Sequence, residues 1–345
     1  MNTSQHNALQ GLENLGSTCS INSLIQIICR TDHLRNAILS STPVSDTITA
    51  ELREILDLMH IQGNSLSPKK FINNLYKHFG HIFQRGEQQD ISEFWMFLFD
   101  KIATELGTPV DTIVIDTPEI NRTFDTNQEL SESQELQILC QASMNKFNSN
   151  KTSKWLETSQ GILLHILSCN NCNNVIYNFE PFISIQLDIP ENQDVPPTVA
   201  GMLRNYLKTQ KCEGDWKCDK CKQDTTSYTR SIKLWKMPPV LIFIVKRFAN
   251  FPHKNSSPIN VNKNICVKKG SIISDINSEY TYNCTSLGYH FGSLFGGHYC
   301  SMCKSGEQHI LYDDLNISIV NTEQAKRAYE SSREAYMLVY VTDNN

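Results

Sequence analysis

The chain has 345 residues, 40% apolar and 19% charged, with 31 Lys plus Arg against 36 Asp plus Glu. This is the composition of a globular protein rather than a disordered or fibrous one, and a net charge of −5 argues against a broad nucleic-acid-binding face. No apolar run approaches the ~18 residues needed to cross a bilayer, and the opening MNTSQHNALQ is polar, without a signal-peptide core. A cytoplasmic or nuclear protein with neither a nucleic-acid nor a membrane partner is therefore expected.

The first hundred residues carry helical periodicity. Ile21, Leu24, Ile25 and Ile28 recur at the spacing of one buried helix face, and Leu52, Ile55, Leu56 and Met59 repeat it. Ser67-Pro68 predicts an N-cap and first helical position for a helix running through Phe79. Ile91, Phe94, Trp95, Leu98 and Ile102 form another helical stripe. Residues 108–159 turn polar and lose periodicity, which predicts a connection or insert. Strands follow. Ile183, Ile185 and Leu187 alternate with polar residues, VLIFIV (240–245) suits a central strand, and 298–303 and 335–341 predict two more. Helices first and strands later define an α+β chain.

Twelve cysteines with no export signal point to a reducing compartment, where thiols act as nucleophiles, metal ligands or small buried residues. Cys19 falls in the first turn of the helix that begins after Gly16-Ser17-Thr18, with Ser17 or Thr18 able to cap it. Partial positive charge and unpaired N–H groups at such a position favour the thiolate. Taken locally, a small buried residue at a helix end fits as well. Ten histidines are available as a base. His298 stands out because Gly296-Gly297 allow close backbone approach before it, and it heads the strand HYCSMC. A carboxylate from Tyr312-Asp313-Asp314 can orient its imidazole.

Together these segments resemble the ubiquitin-specific protease family of deubiquitinases, within the papain-like cysteine peptidases. GLENLGSTCSINSLIQ is similar to the family's cysteine box, and YHFGSLFGGHYC, LYDD and REAYMLVY to its histidine box. EQQDISEFWMFLFD and PPVLIFIVKRF lie between them in family order, so the likeness spans residues 11 to 341. It implies a single catalytic domain over 1–345 shaped as a right hand. The helical thumb would cover 1–107, zinc-ribbon fingers 160–232 and a sheet-based palm 233–345, with a papain-like cleft between thumb and palm. It further implies Cys19 as nucleophile, His298 as general base, Asp313 as third member and Asn14 as oxyanion-hole side chain, with Asp314 as an auxiliary. Gln88, Asp90, His290, Tyr299 and Tyr336 match positions that hold or line the path of the ubiquitin tail. The implied activity is hydrolysis after the terminal Gly-Gly of ubiquitin, on ubiquitinated proteins, by a monomer. A silent ubiquitin-binding scaffold and a protease for another ubiquitin-like modifier are the competing readings. Ser20 departs from the family pattern, which usually has an aromatic residue there.

Cys169-Asn-Asn-Cys172 and Cys218-Asp-Lys-Cys221 each place two thiols in one knuckle. Two knuckles make a tetrahedral site for one structural Zn²⁺, closed to catalysis because four thiolates leave no open position. The long gap between them suits the fingers that the resemblance implies; four free thiols is the alternative. Cys300 and Cys303 also read CxxC, but residues three apart on a strand face opposite ways, so a shared role is not expected.

Overall fold

The computed structural model describes residues 9–59, 61, 65–110, 132–191, 194–222, 224–248, 253–268, 279–293 and 296–342. Part of the polar connection expected over 108–159, residues 111–131, lies outside them. Five helices come first: α1 (Cys19–Arg30), α2 (Asp32–Leu39), α3 (Ile48–Leu58), α4 (Lys69–Phe79) and α5 (Ile91–Leu106). Then come β1 (Thr108–Pro109), α6 (Glu132–Phe147), β2 (Lys151–Thr152), α7 (Lys154–Ser159), β3 (Gly161–Cys169), β4 (Val175–Phe182), β5 (Ile185–Leu187) and α8 (Val199–Tyr206). The chain continues with β6 (Gln210–Lys217), β7 (Asp224–Lys236), β8 (Val240–Val245), β9 (Asn264–Val267), β10 (Tyr280–Ser293) and β11 (Gly296–Ser305). It ends with β12 (Gln308–Asp313), β13 (Asn316–Val320), α9 (Thr322–Glu330) and β14 (Ala335–Thr342).

The largest sheet runs β13-β12-β11-β10-β14-β8-β5, with β9 paired to β10; every pairing is antiparallel except β5 with β8. A four-stranded sheet of order β4-β3-β7-β6 stands beside it. Alternation along the fully buried β8 explains the layering. Val240, Ile242 and Ile244 enter a core shared with α1 to α5, whereas Leu241, Phe243 and Val245 enter a second core shared with α8 and α9. Cys303 belongs to the first core and Cys300 to the second, so the strand does split that CxxC between its two faces. A third core joins α6 to the smaller sheet through Leu139, Met144, Leu164, Phe179 and Trp235.

Buried polar groups fix the joints between these layers. Trp95, Phe99 and Trp155 pack with ring centroids 5.6–5.7 Å apart, and both indoles stay hydrogen-bonded, Trp95 to the Ile183 carbonyl and Trp155 to that of Phe99. Arg247, fully buried, donates to the carbonyls of Ala335, Asn255, Ser257 and Ser332, and burial lowers its guanidinium to about 10. It clamps the end of β8 to the loop before β14. One helix start differs from expectation. α4 begins at Lys69 with Pro68 in the capping position and no side-chain cap, because proline carries no side-chain acceptor.

Candidate active site

Two segments distant in sequence meet at the start of α1. The strand-like stretch before it lies against the β12–β13 turn: Leu12 N–H donates to the Asp314 carbonyl at 2.9 Å, and Gly11 has no room for a Cβ against the Leu315 backbone. Cys19 opens the helix and is 3% exposed. Thr18 occupies the capping position, but its hydroxyl turns away and accepts from Leu15 N–H at 3.0 Å. The first-turn N–H groups are therefore left uncapped by this side chain beside the thiol. Ser20 is fully buried, and among the described residues its hydroxyl has no hydrogen-bond partner.

Asn14 is held at both ends of its amide. Its Oδ1 accepts from Gly16 N–H, Thr18 N–H and the Thr18 hydroxyl at 3.0–3.3 Å, while its Nδ2 donates to Asp314 Oδ2 at 2.8 Å. Asp314 sits in the left-handed region with φ 52°, at the tight turn between β12 and β13. Its other oxygen, Oδ1, accepts from Asn22 Nδ2 at 2.7 Å. Asn22 lies on the buried side of α1 and escaped the sequence reading. An amide beside Ile21 in a helix buried on almost every side was its signal, since a buried polar side chain requires partners.

On β11, His298 Nε2 and Asp313 Oδ1 are 2.5 Å apart, and both side chains are 42% exposed. That contact leaves the imidazole Nδ1 free of the carboxylate. Among the described residues no hydrogen bond joins His298 to Cys19. Instead Gln88 spans the gap. Its Nε2 donates to the Gly297 carbonyl at 2.6 Å and contacts Cys19 Sγ at 3.5 Å, and its Oε1 accepts from Gly297 N–H at 2.8 Å. One amide thus joins the thiol to the backbone that enters His298. Of the glycine pair, only Gly297 is pressed from outside: a Cβ there would strike the Phe291 carbonyl and His290 Nε2, whereas Gly296 has open space.

The remaining expected residues form one buried junction. Asp90 caps α5, accepting from Ser92 and Glu93 N–H through Oδ1, and its Oδ2 accepts from the Tyr299 hydroxyl at 3.1 Å. The Tyr336 hydroxyl lies 3.3 Å from that of Ser92. His290 packs 4.7 Å from Tyr299, and Phe248, not anticipated from sequence, contacts both His290 and Tyr336. Burial, then the neighbouring Lys254 ammonium, lowers His290 to about 4, so this imidazole is neutral near pH 7.

Cys169, Cys172, Cys218 and Cys221 converge, with all four sulfurs within 4.8 Å of one another. The two knuckles repeat one geometry. Asn173 N–H donates to the Cys169 carbonyl and Lys222 N–H to the Cys218 carbonyl, at 2.9 and 2.8 Å, and the two donor residues have φ 55° and 56°. The N–H groups of Cys221 and Lys220 pull the Cys218 thiol down to about 6 despite burial. Four convergent thiols with donors aimed at sulfur fit Zn²⁺. Cys212 stays outside the cluster.

A family model described as ubiquitin carboxyl-terminal hydrolase matches residues 10–340, and the chain belongs to that family. Ubiquitin carboxyl-terminal hydrolase 4 of Saccharomyces cerevisiae is 26% identical over 98% of this chain, and ubiquitin carboxyl-terminal hydrolase 2 of Bos taurus 25% identical over 99%. The chain spans 40% of the yeast relative and 56% of the bovine one. Among solved structures, the Ubp8-containing SAGA DUB module bound to monoubiquitin matches with a TM-score of 0.71 and 20% identity, over 99% of this chain and 71% of that one. The fold is therefore that of these deubiquitinases. No helix among the described residues is long and apolar enough to cross a membrane.

Proposed function

We propose that the chain is a deubiquitinase that hydrolyses the isopeptide or peptide bond after the C-terminal Gly-Gly of ubiquitin. The observation that carries this reading is that Gln88 joins Cys19 to the Gly297 backbone, one residue before the His298 that Asp313 engages. Cys19 attacks the scissile carbonyl as thiolate. Asp313 holds His298 through Nε2, so Nδ1 takes the thiol proton and returns it to the leaving amine. Asn14 Nδ2, with one hydrogen on Asp314, directs the other at the developing oxyanion, helped by an α1 first-turn N–H. Water then releases ubiquitin from the thioester, with His298 again as base.

Gln88, Asp90, His290, Tyr299 and Tyr336 are assigned to the ubiquitin tail. Support comes from Gln88: its amide engages both backbone groups of Gly297 and contacts Cys19 Sγ, which places it beside the thiol where the tail would end. Asp90 can pair with an arginine of the tail once released from Tyr299. The four-cysteine cluster would hold one structural Zn²⁺, cross-linking the tip of the smaller sheet. The chain divides, as the sequence resemblance implies, into thumb, fingers and palm of a single domain that acts as a monomer. None of the twelve cysteines is paired in a disulfide, which suits a cytoplasmic or nuclear location.

The test is labelling with ubiquitin carrying a C-terminal electrophile. Labelling of the wild type and none of Cys19→Ala is expected. Label surviving in Cys19→Ala overturns the nucleophile, and folded wild type that takes no label favours a ubiquitin-binding scaffold. Faster turnover of a fluorogenic substrate made with another Gly-Gly-ended modifier would reassign the substrate.

A further inference from the structure

Asp313 and Asp314 are adjacent, yet their contacts divide. Asp313 engages His298, whereas the hydrogen bonds of the Asp314 carboxylate come from two asparagines. One is Asn14. The other, Asn22, is 2% exposed and sits one helical turn beyond Cys19. Its Nδ2 donates to Asp314 Oδ1 at 2.7 Å and also reaches the carbonyls of Leu12 at 3.4 Å and Glu13 at 3.2 Å. A single amide thereby touches the segment carrying Asn14, the turn carrying Asp314 and the helix carrying Cys19.

We infer that Asn22 is a positioning residue of the oxyanion hole, acting on Asn14 through Asp314. Asn22 anchors one carboxylate oxygen, so the second is held at the place where it fixes one hydrogen of Asn14 Nδ2. The other hydrogen of that amide is then set in direction. Asn22 also holds the backbone on either side of residue 13, which limits the travel of Asn14 itself. Without Asn22, Asp314 gains freedom at an exposed turn and Asn14 loses its fixed aim. Attack on a carbonyl slows, because an oxyanion donor works only when preorganised. Alkylation of Cys19 builds no oxyanion and is unaffected.

This rests on the assignment of Asn14 as oxyanion donor, and the experiment separates the two. Wild type, Asn22→Ala, Asn14→Ala and the double variant are compared for hydrolysis of a fluorogenic ubiquitin substrate and for the rate of Cys19 alkylation by iodoacetamide. Asn14→Ala should lower kcat by about 10²–10³-fold. Asn22→Ala should lower kcat by roughly 10-fold with KM within about two-fold, a loss smaller than that of the donor itself, and leave alkylation unchanged. The double variant should be no slower than Asn14→Ala, since Asn22 acts only through it. Asn22→Leu, which fills the same buried space without the donors, should reproduce the Asn22→Ala loss and decides the matter if Asn22→Ala does not fold. Multiplying losses in the double variant, alkylation falling in step with kcat, or full activity in Asn22→Ala would overturn the inference. Full activity in Asn14→Ala would bring down the oxyanion assignment and this inference with it.

Discussion

Two regions of the molecule depend on cysteine, and they are built in opposite ways. The four-thiol cluster is made of two local knuckles, each closed by the same backbone turn within five residues, and the antiparallel strands β3 and β7 bring the pair together. The Cys19 region has no such local unit. Its polar atoms come from the segment before α1, from α1 itself, from the approach to α5, and from β11 and β12, which lie more than 200 residues away. A short spacing can specify a knuckle. Only the whole sheet, seated on its helices, can specify the cleft.

This contrast predicts that the two regions fail separately. The largest effect should come from Asp313→Asn, which removes the charge that orients His298. A loss of about 10²–10⁴ in kcat is expected in hydrolysis of the fluorogenic substrate, with bound zinc unchanged by elemental analysis. Next, Cys218→Ser or strong chelation should abolish zinc binding and lower the stability of the smaller sheet by several kcal/mol, because metal binding is linked to folding. Cys19 alkylation should persist at its normal rate. If the metal-free protein lost alkylation as fast as it lost structure at the cluster, the separation would be wrong.

A smaller effect concerns pH. His290 is held to about 4 in the folded chain against ~6.5 when unfolded, so the unfolded state binds the extra proton. This contribution to stability is complete above about pH 6.5 and lost as pH falls toward 4, by roughly 2–3 kcal/mol. Urea unfolding of His290→Phe should show a shallower decline over that window. Smallest is Ser20→Ala. Removing a buried hydroxyl that lacks a partner should raise stability by about 1 kcal/mol or leave it unchanged, read from the same unfolding curves. A loss would show that Ser20 has a use in the helix start that its contacts do not reveal.

Much of this is legible in the sequence alone. The apolar stripe from Ile21 to Ile28 and the run VLIFIV report their own periodicity, and α1 and β8 form where it predicts. The knuckles are equally local. What escaped were partners: Asn22 beneath Asp314, Phe248 against His290 and Tyr336, and the turned-away hydroxyl of Thr18. Each depends on which distant backbone occupies the space beside it. Ser67 shows the same limit at short range, since α4 begins one residue later than expected and leaves Pro68, without a side-chain acceptor, in the capping position.

By itself the sequence determined the α+β layout, the family and the residue types at the cleft, because periodicity and local motifs are properties of neighbouring residues. The tertiary structure alone decided that Asp313 serves His298 while Asp314 serves two asparagines, and that Gln88 bridges thiol and glycine. Two adjacent carboxylates are chemically alike. Only the turn between β12 and β13, pressed against Gly11 and α1, sends them to different partners.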